Sequence, residues 1–87
     1  MTLDQLKPGV EVAVRSIDWT AIPESEAHRL RLLGLEEGAR VELLHRGMLF
    51  WRDPLGVRIG RMTIAMRRAN ARAVKCMPVE AVADEAA

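Results

Sequence analysis

The side chains able to do chemistry are few and scattered. His28 and His45 are the only histidines, Cys76 is the only cysteine, and tyrosine is absent. A tight metal centre needs three or four converging ligands. Only Glu24 and His28 stand four apart, the spacing of neighbours on one helix face. Such a pair can hold a zinc ion at a surface, which would be adventitious, so no firm metal site and no cofactor are expected. The carboxylates, Asp18, Glu24 and Asp53 among them, show no paired spacing for acid–base work. No GxxxxGK[ST] loop is present to cradle nucleotide phosphates, and no Ser/His or Cys/His arrangement stands out. A single cysteine excludes an internal disulfide and any CxxC motif, and fits a reducing, cytoplasmic setting. Cys76 lies in a strand pattern and reads as a small buried hydrophobe. The chemistry on offer is binding, not catalysis.

Two sets of residues suit binding. Met48-Leu49-Phe50-Trp51, followed by Arg52, puts four large apolar residues in a row within a turn region, against ordinary surface patterning. Exposed, they form a patch of the kind that marks protein contact, with Phe50 and Trp51 as anchors. Folded back, they plug one end of the domain. The second set is basic: Arg58, Arg61, Arg67, Arg68 and Arg72. From Arg40 to Lys75 nine basic residues face two acidic ones, a net +7, while the flanking segments are each −3. This stretch suits an acidic partner face, with a solvated sheet face as the plain alternative. On strands, Arg58 and Arg67 could share the outer face of a hairpin. Small basic barrels also bind nucleic acid, but they add stacking aromatics, and only Phe50 and Trp51 are available. Nucleic acid is therefore the lesser reading.

Short, closely punctuated elements must position these residues. Pro8-Gly9 has type II turn chemistry and leads into Val10 to Arg15, which alternates as a half-buried strand does. From Ile22 the period changes to that of a helix, about residues 23–33, with Pro23, Glu24 and Glu26 at its start and Ala27, Leu30 and Leu33 as its apolar stripe. Gly34 and Leu35 then read as a Schellman stop. Leu35 to Gly38 is a second turn, launching a strand from Arg40 to Arg46. Leu6, Gly9 and Val12 thus recur as Leu35, Gly38 and Val41, an L-x-x-G-x-x-V echo with a geometric cause. After a loop from Gly47 to Pro54, Leu55-Val57-Ile59 and Met62-Ile64-Met66 alternate about a Gly60-Arg61 hairpin turn. Arg68 to Ala71 reads as one helical turn, and a last strand from Arg72 to Met77 ends at Pro78.

Five short strands and one helix predict a mainly β fold, a small five-stranded barrel that closes its sheet to hide its edges. The chain's 87 residues suit one domain, residues 1–78, with a flexible acidic tail at 79–87. Trp19, Phe50 and Trp51 are the only aromatics, so the core must be aliphatic. Met1-Thr2-Leu3-Asp4 has neither a basic nor an apolar leader region, and the longest strictly apolar run is far short of the roughly 20 residues of a membrane span. A soluble cytoplasmic protein is expected.

The segment from Leu30 to Val41, with Leu33-Gly34-Leu35, Gly38 and Val41, resembles the signature of ferrous iron transport protein A, the FeoA family. Leu6-Lys7-Pro8-Gly9, Asp53-Pro54-Leu55, Ile64-Ala65-Met66-Arg67 and Ala69 to Val74 match further motifs in order. The chain departs from that pattern in its bulky Met48 to Arg52 loop and in Gly60-Arg61-Met62, which lacks an aromatic after the glycine. The resemblance implies an SH3-like barrel and a non-enzymatic cytoplasmic accessory role in ferrous iron uptake. Its implied partner is the cytosolic part of FeoB, the membrane ferrous-iron transporter with a GTP-binding domain. Contact with the membrane would then run only through that partner. On this reading Met48, Leu49, Phe50, Trp51, Arg52, Arg58, Arg61 and Arg67 are the partner-binding candidates. A metal-responsive regulatory SH3-like domain and a homodimer are further options.

Overall fold

The computed structural model describes residues 1–46 and 54–80. In order come β1 (Glu11–Ile17), α1 (Glu24–Leu32), β2 (Arg40–His45), β3 (Leu55–Ile59), β4 (Met62–Met66), α2 (Arg68–Ala71) and β5 (Val74–Met77). Two 3₁₀ turns, Leu3–Gln5 and Trp19–Ala21, have no counterpart in the sequence reading. All strands pair antiparallel in one sheet of order β4-β3-β2-β1-β5. The fold is mainly β, with five strands as expected. Full closure of the ladder is not: β4 and β5 end the order, and no ladder joins them among the described residues.

Curvature comes from two register shifts. One falls between Val14 and Ser16 opposite β5, the other between Leu43 and His45 opposite β3. An extra residue on one strand bends it and tightens its twist. The curled sheet wraps one core, in which Val12 and Val14, Val41 and Leu43, Leu55, Val57 and Ile59, and Val74 and Cys76 meet Ala27 and Leu30 of α1. Arg40, Glu42, Arg58 and Lys75 occupy alternate positions and take the other face. Every buried hydrophobic residue described is aliphatic, a methionine or the cysteine.

The helix stops as its residues dictate. Leu35 N–H donates to Leu30 O at 3.0 Å, Gly34 N–H donates to Arg31 O at 3.1 Å, and Gly34 has φ +100°. That is the Schellman pair of bonds, and Leu30 and Leu35 are both buried beside it. Pro23, expected as the first helical residue, is instead the N-cap, and Leu33 is the C-cap.

The repeated L-x-x-G-x-x-V segments form a reciprocal clasp. Val12 and Val41 pair across β1 and β2. Gly9 N–H donates to Leu43 O of β2 at 2.9 Å, while Gly38 N–H donates to Val14 O of β1 at 2.8 Å. Both glycines have positive φ, +90° and +86°. Each turn therefore launches its own strand and anchors on the other.

Several strand boundaries differ from the expected ones, β2 ending at His45 among them. Strand β1 runs from Glu11 to Ile17, one residue later and two residues further than the alternation suggested. Strand β5 starts at Val74, because Ala73 N–H still bonds Asn70 O at 3.1 Å and completes the turn after α2. Met62, the first of the alternating apolar positions of β4, is 49% exposed beside the hairpin turn. Val79 and Glu80 are helical, and the rest of the acidic tail lies outside the described residues.

Candidate docking surface

Strands β3 and β4 form a tight hairpin whose two-residue loop is Gly60-Arg61, closed by the Ile59–Met62 pair. Gly60 has φ +58°, the positive value that a two-residue hairpin demands at its first position. Gly60 N–H donates to Arg40 O on β2 at 3.0 Å. By the two-residue alternation, Ile59, Val57 and Leu55 turn their backbone groups to β4 and meet Met62, Ile64 and Met66. Thr63 and Ala65 must then direct their N–H and C=O groups away from the sheet. The one contact recorded there agrees: Arg29 Nη2 of α1 approaches Ala65 O at 3.5 Å.

The predicted binding residues have different fates. Met48, Leu49, Phe50, Trp51 and Arg52 lie outside the described residues. Arg58 is committed within the domain. Its Nη2 reaches Glu42 Oε1 of β2 at 2.8 Å and Glu11 Oε2 of β1 at 3.0 Å, and its Nη1 donates to Gly60 O at 2.6 Å. Hydrogen bonds to Glu42 and then Glu11 push the guanidinium pKa further up. Arg40 adds a looser contact to Glu11 Oε1 at 3.6 Å. Arg61 is exposed at the hairpin tip. Arg67 follows β4 directly, in extended backbone, as the N-cap residue of α2. It is exposed, and with Glu26, Arg29, Pro54 and Ala65 it lines a cleft of about 290 Å³ between α1 and the end of β4.

Glu24 and His28 sit exposed on α1. Among the described residues, no group of three or more His, Cys, Asp or Glu side chains is placed to hold a metal ion. Cys76 is buried, and burial pushes its thiol up to about 11, which leaves almost no thiolate near neutral pH.

Sequence reasoning missed two polar arrangements. Asp4 is buried, accepts a hydrogen bond from Thr2 Oγ1, and faces Arg72 Nε at 3.6 Å and Arg68 Nε at 4.0 Å. This pairing ties the N-terminal turn to α2 and compensates a charge that burial would otherwise penalise. Arg31 Cζ of α1 lies 4.3 Å from the centre of the Trp19 ring, a cation–π contact. Neither pair has a local spacing that betrays it. Asp4 next to the buried Leu3 was the only available hint.

Fold and surface together define a small SH3-like β module whose described residues carry polar contacts for holding itself together and exposed groups for contact. Residues 1–78 match the model of the FeoA domain, and the chain belongs to that family. Among solved structures, the FeoA protein of Chlorobium tepidum is 32% identical, with a TM-score of 0.76 over 91% of this chain and 70% of that one. Stenotrophomonas maltophilia FeoA, solved with zinc, is 30% identical, with a TM-score of 0.73 over 88% of this chain and 89% of that one. That protein is described as a procaryotic SH3 domain protein and suggested to act as a ferrous iron transport activating factor. The IdeR protein of T. acidophilum shares the fold at 18% identity and a TM-score of 0.69, over 90% of this chain and 33% of its own. No curated protein matches the chain significantly.

Proposed function

We propose that this chain is a non-enzymatic accessory protein of ferrous iron uptake, which docks on the cytosolic part of the FeoB transporter and modulates it. The observation that carries this reading is the FeoA domain match over residues 1–78. Two features support it. The Stenotrophomonas relative is suggested as a transport activating factor. The described residues spend Arg58 and Arg72 on internal ion pairs while leaving Arg61 and Arg67 exposed, which suits a module that binds. No helix among the described residues is long and apolar enough to cross a membrane.

Modulation by docking requires differential affinity. The module must bind one conformation of the transporter better than another, because equal binding to both shifts nothing. Calorimetric titration of the chain into the GTP-binding domain of the cognate transporter, with and without nucleotide, tests this. The expected result is saturable binding whose affinity differs between nucleotide states. Flat traces in both states, repeated with full-length transporter in nanodiscs, would end the docking reading. Binding instead to nucleic acid, with affinity falling steeply as salt rises, would replace it.

A further inference from the structure

The two outer strands of the sheet are treated differently. The free side of β5 is covered by the chain's own N-terminus: Cys76 N–H donates to Met1 O at 2.8 Å, and Thr2 bridges Lys75. Among the described residues the free side of β4 has no such cover. Among the described residues no backbone group pairs with Thr63, and Ala65 has only the long 3.5 Å approach of Arg29. Arg29 is held more firmly elsewhere, at 3.0 Å from Glu26. The usual devices for blunting an edge are also missing. Strand β4 contains no proline or lysine, and its pairing with β3 runs through five residues without a bulge. Its outward side chains, Thr63 and Ala65, are small and exposed.

We propose that the outer edge of β4 is a strand-addition site for an extended, acidic segment of a partner protein. This deepens the docking reading above and rests on it for the partner's setting. The backbone supplies affinity: a segment laid antiparallel beside β4 exchanges hydrogen bonds with Thr63 and with Ala65, each of which offers one donor and one acceptor. Charge selects the occupant. Arg61 stands at one end of the edge, Arg67 at the other, and Arg29 beside it, and among the described residues lining the cleft Glu26 alone carries a carboxylate. The cleft between α1 and the end of β4 gives an inward-pointing side chain of the added strand a place to sit. Arg29 need only give up its long contact to Ala65 O to admit the segment.

The test uses ¹⁵N-labelled chain and a short peptide of alternating valine and glutamate, with a valine–lysine counterpart as control. With the acidic peptide, the Thr63 and Ala65 amides shift and gain protection from hydrogen exchange; the lysine peptide does neither. Thr63→Pro removes an N–H that the ladder to β3 does not use, so the fold survives while affinity falls about tenfold or more. Should that variant unfold, the acidic peptide N-methylated at alternate backbone nitrogens reads the same bonds and must lose binding. Arg61→Glu with Arg67→Glu must weaken the acidic peptide and favour the basic one. The proposal is overturned by an absence of shifts, by shifts elsewhere on the surface, or by affinity unchanged in Thr63→Pro. It is equally overturned if Thr63 and Ala65 respond to protein concentration alone, which would assign the edge to a second copy. The peptide experiment contains no transporter, so its failure leaves the docking reading to the calorimetry, and the reverse also holds.

Discussion

Gly9→Ala and Gly38→Ala should destabilise the domain equally, although one lies in the N-terminal turn and the other after the helix. Both residues have φ close to +90°, and a methyl group at either meets no atom within 4 Å. Steric clash therefore drops out, and the N–H that each donates to the opposite strand is kept. What remains is handedness. Holding an L-residue at positive φ costs ~1–2 kcal/mol. Alanine also stiffens the unfolded chain, which offsets ~0.4–1 kcal/mol. The net loss is about 1 kcal/mol for each variant, or roughly 4–8 °C in melting temperature for a domain of this size. Urea unfolding measures it, with the slope against denaturant unchanged. A semisynthetic D-alanine at Gly9 supplies the control, since it fits positive φ and should stabilise. Two features would refute the reasoning: costs that differ by more than about 1 kcal/mol, or a D-alanine as damaging as the L form. Either would mean that local packing, not the shared turn geometry, sets the demand for glycine.

Leu30→Ala, which empties a fully buried position between α1 and the sheet, should cost ~2–5 kcal/mol in urea unfolding; a loss below about 1 kcal/mol would show that the helix packs loosely. Cys76 should resist thiol reagents at neutral pH until denaturant unfolds the chain, and labelling of the native protein would contradict its burial. Its thiol rises from an ordinary 9.0 to about 11 on folding, so the unfolded chain loses that proton first. Stability from this source is complete below about pH 9, is lost as pH climbs towards about 11, and the slope should vanish in Cys76→Ala. Arg58→Ala leaves Glu11 and Glu42 directly opposed across β1 and β2, and like charges so placed repel. Adding Glu42→Gln to that variant should recover stability; no recovery would mean that the arginine acts through packing alone.

How far the sequence could be read depends on how local each cause is. Strand positions, the helix stop at Gly34 and the hairpin at Gly60 depend on a few adjacent residues, and all three stand as expected. The L-x-x-G-x-x-V echo was visible, but its meaning was not, because each glycine bonds a strand distant in the sequence, Gly9 reaching Leu43 and Gly38 reaching Val14. The two register shifts escaped for the same reason: a bulge belongs to a pair of strands and leaves no mark in either one. Closure of the ladder was over-read from the general hazard of open edges, whereas this chain covers one edge with its N-terminus. Asp4 with Arg72 and Trp19 with Arg31 join elements far apart in the chain, and only the fold brings them together.

The excess of arginine illustrates what a charge count conceals. Read along the chain, the net +7 from Arg40 to Lys75 suggests one broad basic face. In the fold the described arginines separate into two populations. Arg40 and Arg58 meet Glu11 and Glu42 across three strands, Arg46 donates to Leu6 O at 2.7 Å, and Arg68 and Arg72 flank the buried Asp4. These side chains hold turns and strands in register, so their charges are largely met by partners inside the domain. Arg61 and Arg67 are left at the two ends of β4, where among the described residues only the long Arg29 contact to Ala65 O meets the outer backbone. Reversing Arg61 and Arg67 should therefore change what the domain binds while leaving its stability within about 0.5 kcal/mol per site, the usual result for surface substitutions. Reversing Arg58 and Arg72 should do the opposite. If the first pair proved the more damaging to stability, the division between structural and contact charges would have to be redrawn, and the edge of β4 would lose the charge argument for its occupant.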